Sequence, residues 1–431
     1  MATVYYIITF LTLLYVMQKH VNDAFTLLIV LSFYPGLASF AGVLLEGMYK
    51  ILLMVLGVYL LYKYQPFKEI SSKKIRILLV FVFFSLSFIS SALLNDNNVN
   101  LTISQYSKYF VPFCIFFVFM YYLRYPDKFV KFQELLFTLV TIQVFLSLIK
   151  LFTFGVQEWV VGSISMTGGG IATPFPILVF MMLWLKKKHS LKLKDWLYIL
   201  AVLFVSFMSL KRAIWFMMPV IVFLFMVYIP RKKIPSKILL LIPFIPVLFY
   251  LGVRLNPTLN KEDKIWGSFD IDFVIQYTND YSFGKEKSVD RHERRLAEGR
   301  GGVTNMLFKK IIQPSTLTKQ DFLGYGLDEI ATKDYETFDQ EKFNVHSKGS
   351  VTGVFKTYII SGVLGIITFT AYLLCIVSLI EERRVRLVVI GFLFWDYFYY
   401  SGIILPTFAL SILLFYVILY SNLKAARVRI S

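Results

Sequence analysis

The chain has 431 residues, 57% of them hydrophobic, with a mean hydropathy of +0.65 and a formal net charge of +18. Apolar runs of about 20 residues recur from end to end, which excludes a soluble globular protein, and their continuity excludes an outer-membrane barrel of short alternating strands. The positive charge sits in short connectors between those runs, so it reads as an orientation signal and not as a nucleic-acid-binding stripe.

Taken in order, the runs predict an all-α polytopic membrane protein with about 12–13 transmembrane helices. The first run lacks a basic leader and a small-residue cleavage site, so no cleavable signal peptide is expected. The first two apolar segments are the ambiguous ones. Val4 to Val16 is short, and Ala24 to Leu45 carries Pro35 and Gly36 near its middle, which reads as a broken or re-entrant span. From Tyr49 onward, basic connectors mark one face as cytoplasmic: Lys63 to Arg76, Arg124 to Lys131, Lys186 to Lys194, Arg231 to Lys237, Arg383 to Arg386 and the tail from Lys424.

The alternating connectors Asn95 to Ser104, Gly155 to Gly170 and Ser401 to Pro406 are nearly free of positive charge and are expected outside. Parity places the long polar segment outside as well. The chain thus divides into an N-terminal transmembrane bundle (1–253), an external loop domain (254–350) and C-terminal transmembrane helices with a cytoplasmic tail (351–431). No internal repeat is visible. Cys114 and Cys375 both fall in apolar runs and support neither a disulfide framework nor a thiolate metal site.

One external turn breaks the charge rule. Ser209 to Ala213 puts Lys211 and Arg212 on the outer side, and a charge held against the orientation preference marks a candidate site. The plainer reading is that both side chains snorkel to headgroups. Of four histidines, His346 stands just before the span starting near Val351, close to the membrane surface. An imidazole titrating near neutral pH suits a general base, although an ordinary interfacial histidine fits the same position. Arg300, set among glycines in Gly299 to Gly302, offers a planar, permanently charged fork that matches phosphate oxygens.

The preceding run from Asp290 reads as a plain charged surface helix, and Met306 to Ile312 as a short apolar one. Asp270 and Asp272 have the spacing of a carboxylate pair that could hold a divalent ion, though any acidic surface loop often produces it, and Gly168 to Gly170 could offer backbone N–H groups to phosphate, with a flexible span entry the favoured account. Asp396, inside an apolar run, needs either a basic partner such as Lys108 or a hydrated groove.

Three strings in order carry a resemblance. Ser209 to Ile214 (SerLeuLysArgAlaIle) resembles a Ser-x-x-Arg turn between two spans. Gly299 to Gly302 with its following helix, then Phe322 to Gly326 (PheLeuGlyTyrGly), resembles an Arg segment and a Gly-Tyr-Gly turn. His346 to Ser350 followed by Lys356 to Ile366 resembles a His-Asn-x-x-Leu and Gly-Leu-Leu-Gly entry into a span. The chain is similar in these respects to the O-antigen polymerase and O-antigen ligase superfamily, over roughly residues 206–369.

That resemblance implies a metal-independent, cofactor-free glycosyltransferase of the C-type architecture in the bacterial inner membrane, with its active site facing the periplasm. The donor would be a glycan on undecaprenyl diphosphate. The acceptor would be the next lipid-linked repeat unit for a polymerase, or a lipid A core for a ligase. The lipid bilayer is a further partner, a polysaccharide chain-length regulator is another to test, and nucleic acid is not one. Arg212 and Arg300, with Lys211 beside them, would bind the diphosphate, and His346 would activate the acceptor hydroxyl. Ser347 and Lys348 stand where the ligase branch commonly has Asn and Ser, and Trp215 stands where a small residue is usual. The polymerase leads and the ligase remains open. A flippase for the same lipid-linked units stands further back, because few charges lie deep in spans and no repeat symmetry is visible.

Overall fold

The computed structural model describes residues 2–40, 42–68, 71–122, 124–155, 159–164, 170–186, 191–209, 211, 213–229, 250, 254, 268–283, 299–313, 317–331, 340–343, 345 and 351–428. Among these the chain is all-helical, with no strands. Backbone groups in lipid have no water to bond, so each span must satisfy its own hydrogen bonds. The first part of the chain forms α1 (Ala2–His20), α2 (Ala24–Ser32), α3 (Pro35–Phe40), α4 (Val43–Tyr64), α5 (Ser72–Leu94), α6 (Val99–Tyr122), α7 (Pro126–Phe154), α8 (Pro174–Lys186), α9 (Leu193–Met208) and α10 (Ala213–Phe223). The polar segment contributes α11 (Ile271–Phe283), α12 (Gly299–Ile312), α13 (Lys319–Leu323), α14 (Asp328–Ala331) and α15 (Gln340–Phe343). The chain closes with α16 (Gly353–Val377), α17 (Arg383–Phe394) and α18 (Phe408–Val428).

Six of these helices, α1, α4, α5, α6, α7 and α16, are long and apolar enough to cross a membrane, and three shorter apolar stretches lie at 170–186, 217–226 and 408–421. The expected count of about 12–13 also draws on the apolar run around 238–252, which lies almost wholly outside the described residues. The ambiguous second segment is broken. α2 ends at Ser32 and α3 starts at Pro35, whose ring lacks an N–H and disfavours helical backbone just before it. Asp23 caps α2 by accepting from the Thr26 N–H at 2.9 Å.

Aromatic rings tie the spans together. Phe81 of α5 stacks on Phe113 of α6 at 4.0 Å, Phe84 meets Phe369 of α16 at 5.0 Å, and Phe116 meets Phe415 of α18 at 4.9 Å. Large apolar side chains such as Phe10, Met48, Leu79 and Phe83 stay exposed on α1, α4 and α5, as lipid-facing surfaces require.

The connectors expected on one face do gather at one end of the bundle. Asn95 donates to the Gly324 carbonyl, Asn97 donates to Asp328 and accepts from the Leu327 N–H, and Gly170 packs against Ile403. This loop end also receives the polar segment. Val303, Leu307, Leu327, Phe343 and Val345 join the same apolar core as the spans, while Val274 with Phe269 and Tyr277 forms a small separate cluster. Buried Lys150 pins the connector after α7, donating to the Trp159 and Gly162 carbonyls at 2.8 Å each.

Two glycines let the polar segment and α16 interlock. α16 is kinked at Gly362, with φ 65° and ψ −165°, where the Phe322 carbonyl oxygen would lie 2.2 Å from a Cβ. Gly324, at φ 101° and ψ 161°, passes equally close to the Ile360 carbonyl and the Ser91 hydroxyl. Neither backbone shape nor either gap admits a side chain. The PheLeuGlyTyrGly string is therefore the joint between loop segment and span, and the Tyr325 N–H completes it by donating to the Ile359 carbonyl at 2.7 Å.

Candidate functional site

α12 organises the site. It begins at Gly299, whose φ of 68° turns the chain into the helix and sets Arg300 in the first turn. The short apolar helix expected over Met306 to Ile312 is the second half of this element. Thr304 fixes its position by donating to the Phe398 carbonyl at 2.7 Å, and lies 3.2 Å from the Thr352 hydroxyl. Thr352 in turn caps α16. The helix thus bridges the entry of α16 and the turn that follows α17.

That turn is a π-helical stretch, Trp395–Tyr399, closed by the Gly402 N–H donating to the Asp396 carbonyl at 2.7 Å. A Cβ on Gly353 would lie 2.6 Å from the Gly402 Cα, so the turn and the start of α16 touch backbone to backbone. The Arg300 guanidinium sits 4.5 Å over the Tyr400 ring, and Tyr400 stacks on Trp395 at 4.9 Å. Asp396 is buried within electrostatic range of Arg300 and accepts from the Ile404 N–H at 3.1 Å. The charged neighbour of Asp396 is therefore Arg300, from the polar segment. Lys108, the partner considered from sequence, instead donates to Gln105 at 2.8 Å. The Arg300 Nε and the Asp396 Oδ1 are both buried without a hydrogen-bond partner. Donor and acceptor capacity is thus left over at a place where unmet polar groups are costly.

Along the same helix opens a groove of 310 Å³, lined by Lys309, Lys310, Gln313 and Lys342 on its polar side and by Phe343, Phe355 and Tyr358 among its apolar residues. It lies where α12, α15 and the first turns of α16 meet. Lys310 donates to Asp321 at 2.7 Å, and Lys342 to Glu329 at 2.6 Å, while Lys309 is exposed at the rim. A cationic edge over an aromatic floor suits a ligand that carries both phosphate and sugar.

Asp321 is the buried hub beneath this groove. Lys310, Tyr325, Tyr358 and the Thr318 backbone and hydroxyl all donate to its carboxylate. Burial alone would raise its pKa, but these donors outweigh burial and hold the carboxyl well below the ordinary range. Lys310 is desolvated too, yet its bond to Asp321 keeps its pKa above the usual value. A depressed carboxyl pKa contributes stability above its unfolded value near 3.9, lost as pH falls through the folded value. Asp321→Asn is therefore expected to cost about 3 kcal/mol at pH 7. The gap to the parent should begin to narrow below about pH 4 and close only as pH falls through the folded value. Thermal unfolding at pH 7 and down the acid range checks this, and equal melting at pH 7 would contradict it.

Of the residues singled out from sequence, Arg300 is placed against Tyr400 and Asp396. Lys211 is half-buried in the turn between α9 and α10. Arg212 and His346 lie outside the described residues, although Val345, directly before His346, is buried in the core. Most of the charged run from Asp290, and Gly168 and Gly169, also lie outside them. Gly170 opens a short 3-10 turn into α8. Asp270 caps α11, accepting from the Phe273 N–H at 3.0 Å. The groove lysines, Asp321 and Tyr400 went unnoticed in the sequence. The adjacent pair Lys309 and Lys310, closing an otherwise apolar helix, was the available signal.

No family model matches the chain, and no curated protein or solved structure matches it. The reading of function therefore rests on the residues themselves.

Proposed function

We propose that the chain is a glycosyltransferase of the bacterial inner membrane that polymerises undecaprenyl-diphosphate-linked repeat units. In this reading the bundle is of the C-type architecture, residues 254–350 act as its periplasmic loop domain, and the loop end faces the periplasm. The observation that carries the proposal is that α12 bears Arg300 in its first turn and lines a groove with its later turns. That groove is a cationic cleft with an aromatic floor, at the junction of the polar segment and a span, and its lining suits a diphosphate and its first sugar.

In the reaction the acceptor hydroxyl oxygen attacks the anomeric carbon of the lipid-linked glycan. A glycosidic C–O bond forms, and the bond from that carbon to the diphosphate oxygen breaks, its electron pair leaving with the diphosphate. Arg300 and Arg212, with Lys211, bind the diphosphate and stabilise the charge that develops on it, a task that needs no metal. His346 takes the proton of the attacking hydroxyl. Asp396 and Tyr400 hold Arg300 ready, so little reorganisation accompanies the step.

The test is a gel of surface and lipid-linked glycans from cells lacking the protein, beside the parent. Single repeat units on the core with no ladder support a polymerase. Long glycan stranded on undecaprenyl diphosphate with bare core means a ligase, and an unchanged pattern rejects both.

A further inference from the structure

We propose that the groove along α12 selects an acidic glycan, its lysines taking the carboxylate or phosphate of a sugar set apart from the diphosphate. That the ligand is a glycan rests on the glycosyltransferase reading, whereas the preference for negative charge rests on the groove itself. Lys309, Lys310 and Lys342 all line it, and among the described residues no carboxylate does. The two ion pairs at its edge present their positive ends. Lys310 and Lys342 keep 36% and 33% of their side chains exposed, while their partners Asp321 and Glu329 keep 0% and 12%. Lys309 stands exposed at the rim and forms no ion pair among the described residues.

A diphosphate seated on Arg300 cannot also neutralise this edge. Lys309 follows Arg300 on α12 by about two and a half turns, which puts it about 13.5 Å along the axis and on the opposite side of the helix. Both ends are held in place. The Arg300 guanidinium lies over Tyr400, and the Lys310 ammonium is fixed at Asp321. The cationic edge therefore serves a charge further out on the glycan. The floor suits a sugar ring there. Phe355 and Tyr358 share one face of α16, and Phe343 meets Phe355 edge to face at 6.4 Å. Aromatic faces of this kind cover the C–H face of a pyranose and leave its hydroxyls and acid group to the polar rim. At 310 Å³ the groove is near the lower end of the range of about 300–1,000 Å³ for ligand pockets, which suits a short saccharide. An ammonium is a point charge that takes carboxylate and phosphate alike.

The experiment is equilibrium binding to the full chain in phosphatidylcholine nanodiscs. The ligands are a glucuronate-containing disaccharide, the same disaccharide with its carboxyl reduced to the alcohol, and its phosphorylated counterpart. An acidic form should bind at least fivefold tighter than the reduced form, and the preference should shrink as salt rises, because the rim charges are exposed. Lys309→Gln should lose at least half of that preference, and Lys309→Arg should keep it. Tighter binding of the phosphorylated form would make phosphate the recognised group, and the reverse a carboxylate. Equal binding of acidic and reduced forms by the parent protein, or a preference untouched by Lys309→Gln, overturns the proposal. Binding without turnover keeps this test apart from that of transfer. If cells lacking the protein show an unchanged glycan pattern while the preference holds, transfer falls and the acidic-sugar site stands. If the polymer they lose contains only neutral sugars, transfer stands and the acidic specificity falls.

Discussion

Arg300→Ala is expected to lower glycan transfer by about 10²–10³-fold, the usual cost of removing one fixed donor from developing negative charge. The protein should still insert at its normal level. The physical basis is preorganisation. Tyr400 lies 4.5 Å beneath the guanidinium, Asp396 is in electrostatic range, and a buried Nε remains without a partner. Arg300→Lys should restore little, because an ammonium presents no planar fork and stacks poorly on an aromatic ring. The assay is transfer from a synthetic lipid-linked donor by the purified protein, with size-exclusion profiles confirming equal folding. Full activity in Arg300→Ala would remove this residue from the mechanism.

His346→Ala should show a loss of about 10²–10⁴-fold with a different kinetic signature. A general base acts on the acceptor hydroxyl in the transition state, so kcat should fall while the KM for the lipid-linked donor stays near the parent value. Loss of Arg300, by contrast, should raise that KM as well as lower kcat. If His346→Ala keeps its rate, the proton of the attacking oxygen has another acceptor and the proposed role is wrong.

Some of this was legible before any coordinates. The break in the second apolar segment followed from Pro35, and the helix over Met306 to Ile312 followed from its apolar pattern. The Phe322 to Gly326 string was visible as a motif, but not what its glycines do. Gly324 matters because two backbone segments and Ser91 meet there, and Gly362, 38 residues further on, makes the matching gap. Asp321 looked like one acid among many in a polar stretch. Its importance comes from Lys310, Tyr325 and Tyr358, which reach it from both the loop segment and a span. Asp396 was noticed as a charge in an apolar run, yet its charged neighbour lies 96 residues earlier in the chain.

By itself the sequence determined that this is a helical membrane protein, because hydropathy is a local property that each run carries alone. It also carried an expectation of which connectors share a face, since the charge of a short loop biases its side of the membrane. Only the tertiary structure decided that the described parts of the polar segment sit down on the bundle, and that α12 carries both Arg300 and the groove. Those facts depend on which helices pack side by side. Backbone contacts through glycine and buried hydrogen bonds select that packing, and a reading of one run at a time does not contain it.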